Sequence, residues 1–375
     1  MGSVGGVSSV VGGVVLPVAL RTAVEISQQR RERAFVVGGM VRDLLMNRPV
    51  GDYDLDIVVE GNGLGFAADV GAHLGGSVKE HAPFLTAKVT GPFAIASSRA
   101  DGTLTEIDVA TARQEVYEKP GALPCVRPAA IEDDLWRRDF SANAIALSLE
   151  KYLRHVEGEW TSSEVASAIT DPCGGLSDIQ SSTLRILHPK SFIDDPTRLF
   201  RAVRYLVRLS FHFDMPTLAG FVEAVKSGAL STLSPRRVWN EVLVALDEES
   251  PSEVIQEFAQ RGLFSQLPVV SIDSPTWVLE SMEHLAVIRG LLGTEIYRQA
   301  GRTILIANLL REGREDVARA VHEGNKVIQR AQAVLAADKN LAGLRVIPDV
   351  AAAYCIYGSQ NLRELLEACL REVRG

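Results

Sequence analysis

The sequence predicts an α+β fold, a mixed-sheet head followed by an all-helical remainder, and three observations predict it. Between about Ala34 and Leu149, short β-rich strings recur with few helical stretches among them. After about Pro189, apolar residues recur at spacings of three and four, the signature of amphipathic helices. No repeat of fixed period runs through either half, so a solenoid or propeller is excluded.

The strings justify the elements in order. The N-terminal "MGSVGGVSSVVGGVVLPVAL" is apolar but broken by Gly and Ser; it has no basic n-region and no apolar run long enough to span a bilayer. Position 6 is Gly6, where a myristoylation signal needs Ser or Thr. The expectation is a weakly ordered arm over residues 1–33. "AFVVGG", "YDLDIVVEG", "LTAKVTG" and "TEIDVATA" read as strands, "GFAADVGAHLG" reads as a helix, and "SANAIALSL" follows. From Thr111 to Asp134 lies "TARQEVYEKPGALPCVRPAAIEDD", with three prolines and no clear period, read as a long loop of functional type. "DDPTRLFRAVRYLVRLSF", "SPRRVWNEVLVALDEE" and "PSEVIQEFAQRGLFSQL" read as helices, with more from roughly Trp277 onward.

Composition narrows the class. Of 375 residues, 46% are hydrophobic and 23% charged, as in an ordinary globular protein with room for a sizeable core. The net charge of -8 means that any nucleic-acid contact must come from a local basic groove. The four cysteines are far apart and form no CxxC pair, which argues against a zinc site or a disulfide framework and fits the reducing cytoplasm.

The chemistry concentrates in "FVVGGMVRDLLMNRPVGDYDLDIVVEG". Asp52, Asp54 and Asp56 alternate along a strand and therefore share one face. Such repulsion is tolerable where a cation neutralises it, and Mg²⁺ takes one or two carboxylates together with substrate phosphates. Just upstream, a strand, the Gly38-Gly39 turn and a helix start form a phosphate-binding geometry, with Arg42 in reach of a triphosphate or of Asp43. The third glycine of a dinucleotide fingerprint and the GK[ST] of a P-loop are both missing, so neither of those motifs is present. "TEIDVATAR" offers a third acid, Asp108 or Glu106 on the same face, with Asp108 preferred.

A GG turn, a DxD strand and a third strand acid resemble the DNA polymerase beta nucleotidyltransferase superfamily. Further strings narrow the resemblance. "DLWRRDFSANAIAL" resembles the RRDF[TS]xNA segment of class II tRNA nucleotidyltransferases and bacterial poly(A) polymerases, and "DPCGGLSDIQSSTLRIL" and "FIDDPTRLFRAVRY" resemble that group's interdomain and nucleotide-selecting motifs. The resemblance implies a head over 34–150, a neck with a nucleotide-selecting helix over 151–240, and a helical body and tail over 241–375 that binds tRNA.

It also implies roles. Both Asp52/Asp54 and Asp54/Asp56 satisfy the DxD spacing; the apolar flanks favour Asp54 and Asp56 as ligands of two Mg²⁺ ions, with Asp108 beside them. Arg138, Asp139 and Asn143 match residues around the ribose and triphosphate, with Arg137 a further cation. Asp195 and Arg198 match the pair that reads the base edge of CTP or ATP, with Arg201 one turn on; here Asp194 stands where the family usually shows Glu. An Asp accepts from the exocyclic amine that cytosine and adenine share and uracil lacks. Arg204, Arg208, Arg236 and Arg237 are expected to face RNA phosphate.

The implied activity is Mg²⁺-dependent addition of C and/or A of the CCA end to the tRNA 3′ terminus. A poly(A) polymerase is the alternative, but "HAPFLTAKVTGP" lacks the basic string typical of bacterial members. A silent RNA-binding module is disfavoured because the expected acids are all present. The choice between CCA, CC and A addition, and the oligomeric state, are not written in the residue types.

Overall fold

A computed structural model describes residues 15–48, 54–91 and 106–264, and helical positions 301–303, 306, 329, 331 and 332. Asp52, residues 1–14 of the expected arm, and the helices expected from Trp277 fall almost wholly outside the described residues. The chain divides into two units. One comprises Met1–Glu118 with Leu123–Pro189; the other comprises Lys119–Ala122 with the chain from Lys190.

The first unit begins with helix α1 (Val15–Arg30), strand β1 (Arg33–Val37), helix α2 (Gly39–Leu45) and strand β2 (Asp54–Glu60). Helix α3 (Gly63–Leu74), strands β3 (Ser77–His81), β4 (Thr86–Thr90) and β5 (Glu106–Thr111), and the short strands β6 (Arg113–Val116) and β7 (Cys125–Pro128) follow. Helix α4 (Ile131–Trp136), strand β8 (Ala146–Ser148) and helices α5 (Leu149–Val156), α6 (Ser162–Ala168) and α7 (Gly175–Gln180) complete it. Six strands form one sheet in the order β3-β4-β5-β2-β1-β8. It is mixed: β2 and β5 run parallel, while the other neighbours are antiparallel.

Alternation explains the sheet. Leu55, Ile57, Ile107 and Val109 are buried, and the residues between them occupy the other face. Phe35, Val37, Val58, Ile131, Leu135 and Ala146 form one apolar cluster, so the RRDF approach helix α4 is pinned to the strand carrying the acids. Each large apolar side chain there contributes about 1.5–3 kcal/mol. Helix α3 starts at Asn62, whose side chain accepts from the Gly65 amide at 3.0 Å, and ends at Gly75 in the left-handed region.

One feature differs from the sequence reading. The segment from Thr111 to Asp134 carries an antiparallel ribbon, β6 with β7, and the start of α4. Four-residue strands are too short to show a period. The chain passes from the first unit to the second after Pro189, where the helical periodicity was expected to begin; within the first unit α5 packs on α1 and Ala146 bridges Thr170.

The second unit contains helices α8 (Ser191–Asp194), α9 (Thr197–Leu209), α10 (Met215–Lys226), α11 (Pro235–Ala245) and α12 (Pro251–Gln260). Helix α9 buries Leu199, Phe200 and Val203 and packs against α11 and α12, with Phe200 edge-on to Phe258 at 5.1 Å. Asp214 and Ser234 cap α10 and α11 through their side chains.

Candidate active site

The acids are placed by strand register. In the parallel β2–β5 pair, Asp56 lies opposite Asp108 and Asp54 opposite Glu106. The period of two then puts all four positions on one face. Asp56 is exposed between buried Leu55 and Ile57; the Asp54 side chain lies outside the described set. On the far side of β5, Lys88 of β4 stands opposite Asp108. Its Nζ lies 3.2 Å from Asp108 and also contacts Glu106. Burial pushes the Asp108 carboxyl above its usual range, and the Lys88 ammonium offsets only part of this. Lys88 escaped the sequence reading, although "TAKVT" alternates and puts its middle residue on one face with both threonines.

Among the described residues, no three of His, Cys, Asp and Glu close a metal cage. A carboxylate pair facing one another on neighbouring parallel strands instead fits Mg²⁺, which completes its shell with water and substrate phosphate.

Beside the acids, β1 runs through Gly38 into α2. Gly38 adopts φ 70° and ψ -130°, and a β-carbon there would lie 3.2 Å from Arg138 Nη1. That left-handed backbone and close approach require glycine. The Gly38 amide donates to the Ile145 carbonyl at 3.2 Å, so it braces the turn, and any anion contact falls to the amides that follow.

Arg42 is only 2% exposed. It donates to Asp43 at 2.8 Å and to Asn143 Oδ1 at 2.6 Å, and Asn143 donates to Asp139 Oδ1 at 3.0 Å. The expected triphosphate ligand is thus a buried brace between the glycine turn and the RRDF segment. The same segment presents Arg138 to Gly38; its Nη2 donates to Asp134 at 3.0 Å, and its buried Nε has no hydrogen-bond partner among the described residues. Arg137 donates to Asp134 at 2.7 Å and to Glu115 at 2.8 Å, so it lies in an internal ion network and not at a solvent-facing phosphate position. Burial pushes Asp134 up, but the guanidiniums of Arg138 and Arg137 outweigh it and hold the carboxyl below the usual range.

In the second unit, Asp195 Oδ1 accepts from Thr197 Oγ1 at 2.7 Å, from the Thr197 amide at 3.2 Å and from Arg237 Nη2 at 2.9 Å. Oδ2 takes no part in these bonds, and the side chain is 21% exposed. Arg198 is buried and donates to Ser191 Oγ at 2.6 Å. Arg201 donates to the Tyr205 hydroxyl at 3.2 Å.

The four arginines expected at RNA separate. Arg236 is exposed. Arg237 spans Asp195 and the Gly121 carbonyl, the latter at 2.6 Å. Arg204 is 7% exposed, paired with Glu241 at 3.1 Å and near Glu248. Arg208 holds Glu248 with both Nε and Nη2. Arg204 therefore packs the interior of α9 against α11, and its acid partners, half-buried Glu241 and buried Glu248, come from remote parts of the chain, which residue spacing along α9 does not reveal.

Residues 34–185 match the poly A polymerase head domain. The A-adding tRNA nucleotidyltransferase of Halalkalibacterium halodurans is 39% identical over 229 residues, 60% of this chain and 48% of that protein. The CC-adding enzyme of Deinococcus radiodurans is 35% identical over 234 residues, 62% of this chain and 55% of that protein. This chain thus spans about half the length of these curated relatives. A solved CCA-adding enzyme in its apo form shares the fold, with a TM-score of 0.66 at 27% identity over 96% of this chain and 84% of that one. Among the described residues no helix is long and apolar enough to cross a membrane. The glycine turn, the facing strand acids and the RRDF segment all fall inside the residues that match the poly A polymerase head domain.

Proposed function

We propose that this chain is a template-independent tRNA nucleotidyltransferase that transfers a nucleotide from ATP or CTP to the CCA end of tRNA. The observation that carries this is the β2–β5 register, which puts Asp56 beside Asp108 next to the glycine turn. Addition of the terminal A is the favoured activity. A-adding enzymes from Halalkalibacterium halodurans and Geobacter sulfurreducens share 39% and 38% identity, above the 33% of a multifunctional CCA protein from Stenotrophomonas maltophilia.

Asp56 and Asp108, with Asp54 by its position, would hold two Mg²⁺ ions. Bound there, Mg²⁺ lowers the pKa of the attacking 3′-hydroxyl and neutralises charge on the triphosphate. The protein's own residues position the reactants. Gly38 and Gly39 shape the turn for the phosphates, and Arg138 beside them supplies a cation. Asp139 and Asn143, held by Arg42, are the ribose-facing pair; a carboxylate that accepts from the 2′-hydroxyl selects ribose. Asp195 reads the exocyclic amine with Oδ2, and Arg198 and Arg201 complete the nucleotide-selecting face. Arg236 is a solvent-facing contact for RNA phosphate. The reaction belongs in the cytoplasm, with tRNA as partner.

The test is extension of three tRNAs, ending before CCA, after one C and after CC, each with ATP, CTP or both in Mg²⁺, resolved at single-nucleotide length. Addition of a single A to the CC-ended tRNA alone is the expected result. Full CCA on the shortest tRNA would overturn the A-adding assignment, and long adenosine tails on unrelated RNA would mark a poly(A) polymerase.

A further inference from the structure

We propose that Lys88 is a built-in counter-cation of the acid face that competes with divalent metal for Asp108 and Glu106. The inference rests on the metal reading above and adds a residue that no motif of the sequence assigns.

Three observations carry it. Lys88 lies opposite Asp108 across the β4–β5 ladder, and Asp108 in turn lies opposite Asp56, so the ammonium is two strands from the strand that carries the metal-ligating pair. Its Nζ reaches both acids of β5 at once, at 3.2 Å from Asp108 and closer still to Glu106. The pair is open to water, with Lys88 36% and Asp108 38% exposed.

A structural role alone does not account for this placement. β4 and β5 are already joined by a backbone ladder, and exposed ion pairs contribute only about 0–1 kcal/mol. The electrostatic role is larger. Four carboxylates of like sign share this face, and the Lys88 ammonium lowers the repulsion at Asp108 and Glu106 before metal arrives. A divalent ion approaching Asp108 meets that ammonium at a few ångströms, where unit charges still interact appreciably. Lysine carries its charge on a flexible four-carbon stem and can leave the acids by side-chain rotation, which a planar, bidentate arginine does less readily. Metal bound alone must displace the ammonium without compensation. Metal arriving with a triphosphate brings negative charge that accepts it. Lys88 thereby favours loading of metal and nucleotide together over loading of metal alone.

The experiment is a Mn²⁺ titration of the full chain without nucleotide, read by the loss of free-ion electron paramagnetic resonance signal. Wild type, Lys88→Met, Lys88→Gln and Asp56→Asn are compared at equal ionic strength. The expected result is Mn²⁺ binding tighter by about fivefold or more in both Lys88 variants, from removal of the competing charge. Asp56→Asn is expected to weaken it. Unchanged or weaker binding in the Lys88 variants, with binding still lost in Asp56→Asn, overturns the counter-cation role and leaves the metal site standing. Unchanged binding in Asp56→Asn overturns the metal site and the role of Lys88 with it.

Discussion

In the proposed function, Asp195 serves structure with one carboxylate oxygen and would serve nucleotide selection with the other. Oδ1 is taken by Thr197 and Arg237, which fixes the start of α9; Oδ2 is outside those bonds. Asp195→Asn keeps an Oδ1 acceptor for Thr197 and replaces Oδ2 with a donor. The expected outcome is a helix start that survives and a preference for ATP and CTP over UTP that falls about tenfold or more, since one well-made base-edge pair discriminates by roughly 1–3 kcal/mol. Ratios of kcat/KM for the three nucleotides measure it, and an unchanged ratio would remove Asp195 from base reading. Gly38 is a second test at this scale. With φ at 70° and Arg138 Nη1 at 3.2 Å from a would-be β-carbon, Gly38→Ala should lose about 1–2 kcal/mol. A urea midpoint identical to wild type would show that the turn relaxes freely. Much of this was legible in the residues: the alternating acids, the glycine pair and the RRDF string announced themselves. What each arginine binds was not, because Glu115 lies 22 residues from Arg137 and Glu241 lies 37 from Arg204. Lys88 was hidden for the same reason, its partners being on the next strand.

At the scale of elements, α4 and the β6–β7 ribbon are joined by charge as well as packing. Asp134 is fully buried and takes Arg137 and Arg138, while Glu115 takes Arg113 and Arg137. Asp134→Asn leaves these guanidiniums short of a counter-charge and should cost about 3–5 kcal/mol. The pH dependence has a definite sign. Asp134 is held below its ordinary value when folded, so its contribution is present above the unfolded carboxylate pKa of roughly 3.9 and is lost as pH falls through the folded value. Denaturant midpoints of wild type should therefore drop below about pH 4 more steeply than those of Asp134→Asn; parallel curves would remove Asp134 from the acid response. The long strands and helices were readable from period alone. The ribbon was not, because its strands are four residues long and the second is preceded by Pro124 and ends on Pro128.

For the molecule as a whole, a mixed sheet aligns the chemistry-bearing strands in the first unit, while the second unit packs the candidate base-reading helix α9 among other helices. The order of the parts along the chain was evident from the change of period near residue 190; the boundary itself followed from packing. The central claim is that the facing carboxylates of β2 and β5 carry nucleotidyl transfer. Its most direct test is the single-turnover rate of AMP addition to a CC-ended tRNA by wild type and by Asp56→Asn, with folding of both checked by circular dichroism. A folded Asp56→Asn protein slower by on the order of a thousandfold is predicted, whereas a rate within about twofold of wild type would contradict the assignment.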